Sequence, residues 1–455
     1  MKIVVETLEA AATPWTAASS ILAEGTVLFE TQAPRPGKRE YSILVWEPEV
    51  WLQGRAGRYQ EGPSGRVVAD PVRWLKEHHR VARISGEAEA VPFVGGLAGF
   101  AGYEFGWFLE DLPGEPRDSG GLDLWVGRYS RALIYDHYRG RWLAVGEEGF
   151  GDQAAEILAR ADESHASSDS GESMAGQGGG VVVPDAEVTQ RAVSRGVEAI
   201  YEGAFFEVNY TARYSATWKG DRRALYEGLR RLAPGGFGGL VDGPGRFVAS
   251  VSPEEFLRVG ADGAVVTRPI KGTRPRGCDP DEDRAWAEDL VGSEKDRAEN
   301  VMIVDLMRND LTAVCEPGSV RVSELCELHS YASVHHLVST VEGRLSPGYD
   351  AMDAFLSAFP AGSITGAPKL RVMEWIGEEE STARGPYTGS MFYWSDHGAL
   401  GSNVLIRTAV LDRATLRYGS GGAVVADSDP AQEYREMMWK ARPFLELLGV
   451  PWQQR

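Results

Sequence analysis

Residues 263–277 read GAVVTRPIKGTRPRG. The first eight form a strand-like apolar run rich in β-branched residues, and Lys271 follows, backed by Gly272 and Thr273 and lying between Arg268 and Arg274. Positive neighbours oppose the protonation of an amine, so the placement asks for a chemical reason. Outward from this point, strand-like runs recur at 246–252, 333–345, 387–395, 403–412 and 415–426. Helical periodicity recurs at 188–203, 221–233, 281–311, 348–359, 367–380 and 429–449. Strands and helices come in blocks rather than in strict β-α-β alternation, which predicts an α+β fold and not a Rossmann or barrel one.

Upstream, short apolar runs alternate with Gly/Pro turns, and helices are predicted at 71–84 and 151–163. Residues 162–185 open with a small, polar, Gly/Ser-rich stretch, and the whole segment is predicted to be a linker. It divides an N-terminal mixed region, 1–161, from a C-terminal catalytic region, 186–455. The 455 residues carry a formal charge of −19 and no long Lys/Arg block, which argues against nucleic acid or an anionic membrane as the main partner. Cys278, Cys315 and Cys326 offer neither a disulfide framework nor paired zinc spacing, so a reducing cytoplasm is the expected location. The opening MKIVVETLEAAATP is interrupted by Glu6 and Glu9 and has no apolar core of signal-peptide length. The most apolar stretch, from Val91, carries Glu104 and five glycines; it reads as buried strand and turn, not as a membrane helix.

Two motifs tempt and fail. GGLAGFAG (95–102) lacks G-x-G-x-x-G spacing, and GSITGAPK (362–369) places Ala367 and Pro368 where a phosphate loop needs its lysine. His335 and His336 are neighbours on a strand and point to opposite faces, so they cannot share a metal; His336 is a pocket candidate, with a core histidine as the alternative. Asp296 and Glu299 share one helix face, as do Glu433 and Glu436. Solvated helix faces are the plain reading, with Lys295 and Glu299 as an ion pair. Two such pairs meeting across a cleft would suit Mg2+, which takes one or two protein carboxylates plus water and substrate oxygens.

These residues resemble a known family, the chorismate-utilising enzymes, which include anthranilate synthase component I, aminodeoxychorismate synthase component I, isochorismate synthase and salicylate synthase. The resemblance is carried, in order, by SVSPEEFL (250–257), TRPIKGTRPRG (267–277), KDRAENVMIVDLMRNDL (295–311), SVHHLVSTVEG (333–343), FPAGSITGAPKLRVMEWI (359–376), RGPYTGS (384–390), VLIRTAV (404–410) and GSGGAVVADSDPAQEYREMMWKA (419–441). It covers nearly everything from about residue 187 onward, and residues 92–113 look similar more loosely. The resemblance implies one large α+β fold of packed β-sheets decorated by helices, with a Mg2+-dependent chorismate site. PIKGT (269–273) discriminates within the family: anthranilate synthases typically have alanine where Lys271 stands, and lysine marks the aminodeoxychorismate synthases.

The same resemblance implies the roles. Glu299 and Glu436 would hold Mg2+ on the ring carboxylate, with Asp296 and Glu433 supporting through water. Gly421 and Gly422 would offer backbone N–H donors near Lys440; Arg407 and Tyr387 would bind the enolpyruvyl carboxylate, and Thr273 and His336 would lie near the ring. Glu254 is the expected acid for the departing C4 hydroxyl, provided burial raises its pKa, while Glu255 is expected to point away and be exposed. Lys271 would be the nucleophile at C2. A free lysine is neutral in only about one molecule in a thousand at pH 7.5, and burial with Arg268 or Arg274 nearby would raise that fraction. Ammonia would then yield 4-amino-4-deoxychorismate, in p-aminobenzoate and folate synthesis. Glu207 stands where anthranilate synthases usually have glutamine and isochorismate-type enzymes a lysine, and its contribution is left open. None of the cysteines sits in a G-x-C-x-G turn, so a separate glutamine amidotransferase is expected to supply ammonia. Anthranilate synthesis and a catalytically silent chorismate-binding subunit are the alternatives.

Overall fold

The structure is a computed structural model and describes residues 3–35, 38–81, 91–167, 178–331 and 334–450. Two antiparallel sheets of twelve strands each dominate it. The central strands of the first are Tyr41–Val45, Val27–Glu30, Gly238–Gly243, Arg246–Ser250, Thr408–Asp412, Thr415–Val424 and Glu207–Trp218, in that order. The second runs from the edge strand Ile270–Pro275 through Val334–Arg344, Ala264–Thr267, Glu255–Val259, Leu400–Asn403 and Ser390–Ser395 to Gly96–Ala101 and Leu124–Tyr129, with further N-terminal strands beyond.

The central strands of the first sheet are buried at nearly every position because both of their faces are covered. Along Tyr41–Val45, Ile43 and Val45 enter one cluster with Phe100, Trp125 and Met391 of the second sheet, while Leu44 enters another with Trp15, Ile157 and Phe444 of the flanking helices. Val241 and Leu240 divide the same way, as do Val248 and Phe247. The sheets therefore stack as a sandwich, with helices on the outside. Gly96 and Gly99 permit the tight pairing of the second sheet: a Cβ at either would lie 2.1 or 2.0 Å from the carbonyl oxygen of Trp394 or Trp125. The glycines that mimic a dinucleotide loop are thus strand-packing residues.

Several boundaries differ from the sequence reading. The segment expected as a linker, 162–185, is structured at both ends. The Phe150–Ser167 helix runs into it, and Gly178–Val182 pairs with Glu207–Trp218; residues 168–177 lie outside the described residues. The periodicity at 281–311 resolves into two helices, Pro280–Gly292 and Glu294–Thr312. Ser293 ends the first and caps the second, its hydroxyl accepting the Asp296 N–H at 3.2 Å, a local competition that a periodicity count does not register. Strands from 1–161 and from 186–455 complete both sheets together. No helix among the described residues is long and apolar enough to cross a membrane.

Candidate active site

A cavity of about 540 Å³ lies between the edge strand Ile270–Pro275 of the second sheet and the Thr415–Val424 strand of the first, walled by the helices Glu294–Thr312 and Pro430–Lys440. Lys271 projects into it, only 9% exposed. Its Nζ lies 2.5 Å from Glu207 Oε1. Burial pushes the amine's pKa down, but the charges of Glu207 and Glu299 push it up further, and the net direction is upward. This corrects the expectation that neighbouring arginines favour the neutral amine. Arg268 is committed to Glu255 at 2.5 Å, and Arg274 to Asp289 at 2.6 Å and Asp296 at 3.2 Å. Glu255 is likewise not exposed; it is buried and also pairs with Arg258 at 3.4 Å.

Gly272 makes the strand's geometry possible. Lys271 pairs with Leu337 and Thr273 with His336, so two steps on one strand oppose one on the other, a bulge centred on Gly272 at φ 79°. A Cβ there would sit 2.9 Å from Asp296 Cβ and Leu290 Cδ1. Gly272→Ala is therefore expected to destabilise the chain by about 1–3 kcal/mol and to displace Lys271, read as a lowered Tm together with a lowered kcat. Thr273 and His336 both line the cavity, their Oγ1 and Nδ1 2.9 Å apart. Burial and Arg407 push the imidazole down to about 4, so His336 is neutral near pH 7.

Glu254 lines the same cavity and is buried, and Ser363 donates its hydroxyl to Glu254 Oε1 at 2.7 Å. Burial raises the Glu254 carboxyl to about 7 against the pull of that hydrogen bond and of Lys271. Arg407 has a left-handed backbone (φ 48°), as does Thr388 (φ 61°), a conformation that costs a non-glycine residue about 1–3 kcal/mol and recurs at ligand sites. The Arg407 guanidinium lines the cavity with no hydrogen-bond or ion-pair partner among the described residues, and burial lowers its pKa. Tyr387 lies in the same wall, and Gly419 makes room for it, since a Cβ there would be 2.2 Å from the ring.

The two acidic helices do face one another across the cavity. Lys295 lies 3.9 Å from Glu299 on its own helix and 3.5 Å from Glu433 on the other. Glu299 is buried and raised to about 7, chiefly by desolvation. Glu436 is held below the usual range by Lys440 at 2.8 Å. Glu433 accepts from Ser428 at 2.8 Å, and Asp296 is tied to Arg274. No group of three or more His, Cys, Asp or Glu side chains that could hold a metal occurs among the described residues. The set thus offers carboxylates in facing pairs around a cation, Lys295, rather than a closed protein cage.

Gly421 and Gly422 lie, as the strand-like run at 415–426 predicts, within a strand, opposite Thr211 and Tyr210. Gly421 lets the two strands approach, a Cβ there falling 2.2 Å from the Tyr210 carbonyl oxygen; at Gly422 it would lie 3.3 Å from Glu433 Oε2. Lys440 donates to the Gly421 carbonyl at 3.0 Å. Lys295, Ser363 and Asn209 are among the cavity residues not singled out from sequence for a role here. Asn209 carried a signal, since it follows Glu207 by two positions on one strand and so shares its face. Ser363 lies in the stretch that mimics a phosphate loop, whose lysine, Lys369, is buried against Asp310 at 2.7 Å.

The family model for chorismate binding enzymes matches residues 29–446. The aminodeoxychorismate synthase component 1 of Klebsiella aerogenes is 36% identical over 417 residues, covering 90% of each chain. The anthranilate synthase component 1 of Thermus thermophilus is 35% identical over 445 residues, covering 96% of each. The aminodeoxychorismate synthase of Streptomyces pristinaespiralis is 36% identical over 429 residues, and the match spans 56% of that longer protein. Among solved structures, anthranilate synthase component I of Streptococcus pneumoniae superposes with a TM-score of 0.76 at 29% identity, over 90% of this chain and 92% of that one. With its two-sheet α+β architecture and a match over nearly its full length, the chain belongs to the chorismate binding enzyme family.

Proposed function

We propose that this enzyme aminates chorismate to 4-amino-4-deoxychorismate through a covalent adduct on Lys271. The observation that carries the reading is a buried lysine amine in one cavity with a buried carboxyl raised to about 7, Glu254, and an unpaired guanidinium, Arg407. Chorismate is a dianion with a C4 hydroxyl and an enolpyruvyl ether. Arg407 and Tyr387 suit the enolpyruvyl carboxylate, because a free guanidinium offers bidentate donors without first breaking an ion pair. Lys440, Gly421 and Gly422 suit the ring carboxylate, and Thr273 and neutral His336 the ring edge. Glu254 protonates the departing C4 oxygen, and the hydroxyl of Ser363 on Oε1 leaves Oε2 to carry that proton.

Glu299 and Glu436 would hold Mg2+, with Asp296 and Glu433 supporting through water. The facing carboxylates fit an ion that completes its shell with water and substrate oxygens. Bound there, the ion supplies Lewis-acid polarisation and orientation of the ring carboxylate. A second reading, anthranilate formation, is favoured by the comparable likeness to anthranilate synthases. Incubation with chorismate, Mg2+ and an ammonium salt separates the two: anthranilate is fluorescent, whereas aminodeoxychorismate is not and becomes p-aminobenzoate on adding a lyase.

Ammonia comes, in this reading, from a separate glutamine amidotransferase. Cys278 is exposed and Cys315 and Cys326 are buried, and none lies in a G-x-C-x-G turn. Ammonium salts are expected to support turnover by the purified chain and glutamine is not, measured as product with each donor.

A pH dependence follows from Glu254. The protonated form is the active one, so adduct formation without ammonia is expected to fall as pH rises through about 7. Ser363→Ala removes a hydrogen bond that favours the carboxylate, and should move this limb upward. A pH–rate profile by intact-protein mass spectrometry reads both.

A further inference from the structure

Glu207 has no role in the scheme above, yet it is the residue that touches Lys271. It begins the Glu207–Trp218 strand and is fully buried. Its backbone is held on both sides, paired with Ala367 while the adjacent Val208 pairs with Val424. Oε1 receives the Lys271 ammonium at 2.5 Å, and Oε2 has no hydrogen-bond partner among the described residues. A buried carboxylate oxygen left without a donor is costly and is kept where chemistry uses it. The other charged or titratable groups facing the amine come from each surrounding element: Glu254 before the Glu255–Val259 strand, Glu299 on the Glu294–Thr312 helix, His336 on Val334–Arg344, Arg407, and Glu436 with Lys440 on the last wall. None of these makes a hydrogen bond to Nζ among the described residues.

We infer that Glu207 is the catalytic base that takes a proton from Lys271 as its nitrogen bonds to the substrate ring, and that gives it back when that bond breaks. The inference rests on the reading of Lys271 as nucleophile. In the first half, the ammonium passes one proton to Glu207 and the Nζ–C2 bond forms. The two ring double bonds each shift one place, and the C4–O bond breaks with its electron pair, the oxygen leaving as water with the proton of Glu254. In the second half, ammonia bonds to C4 and the double bonds shift back. The C2–Nζ bond breaks with its pair on nitrogen, Glu207 returns its proton to the amine, and the Glu254 carboxylate takes one from the new C4 ammonium. Charge and protons balance over the cycle. The direct Nζ–Oε1 contact puts donor and acceptor within transfer reach, and desolvation penalises the ion pair but not the neutral amine and acid.

The alternative is that Glu207 only neutralises Lys271, and the two roles predict opposite signs. Glu207→Gln keeps the volume and an accepting oxygen but cannot take a proton. The measurement is adduct formation on the full chain with chorismate and Mg2+, without ammonia, followed by intact-protein mass spectrometry. A base predicts that the rate at pH 7 falls about 100-fold in Glu207→Gln, and that above pH 7 the variant's rate stays level while the parent's declines with Glu254, because the free amine gained offsets the protonated Glu254 lost. It also predicts partial recovery of Glu207→Ala by added formate, while KM for chorismate stays near the parent value in both variants. Should either variant fold poorly, Glu207→Asp, which retains a base on a shorter stem, is expected to keep more of the rate than Glu207→Gln. A counter-charge predicts the reverse, because losing the carboxylate lowers the amine's pKa; a Glu207→Gln rate at pH 7 equal to or above the parent overturns the inference. Absence of any adduct on the parent chain overturns the nucleophile itself, and the inference with it.

Discussion

Lys271→Ala is expected to lose aminodeoxychorismate formation by at least about 10³-fold, with Lys271→Arg no better. A guanidinium stays protonated and does not attack carbon, so restoring positive charge beside Glu207 restores the ion pair but not the nucleophile. Chorismate binding should weaken much less, since Arg407, Lys440 and the carboxylate-lined wall act at both ends of the substrate independently of this amine. Intact-protein mass spectrometry with chorismate and no ammonia should show an adduct on the parent chain and none on either variant. The alanine variant also recreates the string typical of anthranilate synthases, so direct addition of ammonia at C2, giving trace anthranilate, is the expected residual activity. An alanine variant that makes aminodeoxychorismate at the parent rate would reduce Lys271 to a structural lysine and reopen the choice between the two products.

The second large effect concerns the facing helices. Glu299→Ala and Glu436→Ala are each expected to lower turnover by more than about 100-fold at limiting Mg2+, because loss of even an outer partner of a metal site typically costs 10–100-fold. A readout independent of turnover is thermal stability. Mg2+ should raise the Tm of the parent chain, by linkage to the folded state alone, and should not raise that of either variant. Glu299 adds a pH signature. Its folded carboxyl lies at about 7 against an ordinary value of 4.5, so its contribution to stability is fully present below pH 4.5 and is lost as pH rises through 7. Without Mg2+, Glu299→Gln is therefore expected to remove part of the decline in Tm between those pH values. Equal Mg2+-induced shifts in the parent and in both variants would place the metal elsewhere.

Much of this site was legible in the sequence because its residues sit in short strings with distinctive order. PIKGT, SPEE, VLIRTAV and the two acidic helical stretches each name a residue type and a spacing, and local periodicity places Asp296 with Glu299 and Glu433 with Glu436 on single helix faces. The α+β class was likewise readable, since blocks of alternating and helical periodicity are properties of neighbouring residues. Charge and composition alone argued against nucleic acid as the main partner.

Only the tertiary structure decided what the charges do. The arginines beside Lys271 in sequence turn away to Glu255, Asp289 and Asp296, and the carboxylate that meets the amine, Glu207, comes from a strand 64 residues earlier. Glu255, expected at the surface, is buried by the partners it finds there, and Ser363 reaches Glu254 across 109 positions. Sequence neighbours set backbone periodicity, because hydrogen-bonding and steric preferences act over a few residues. Protonation depends on desolvation and on charges within a few ångströms, and those are supplied by segments that come together only when the two sheets close over their common core.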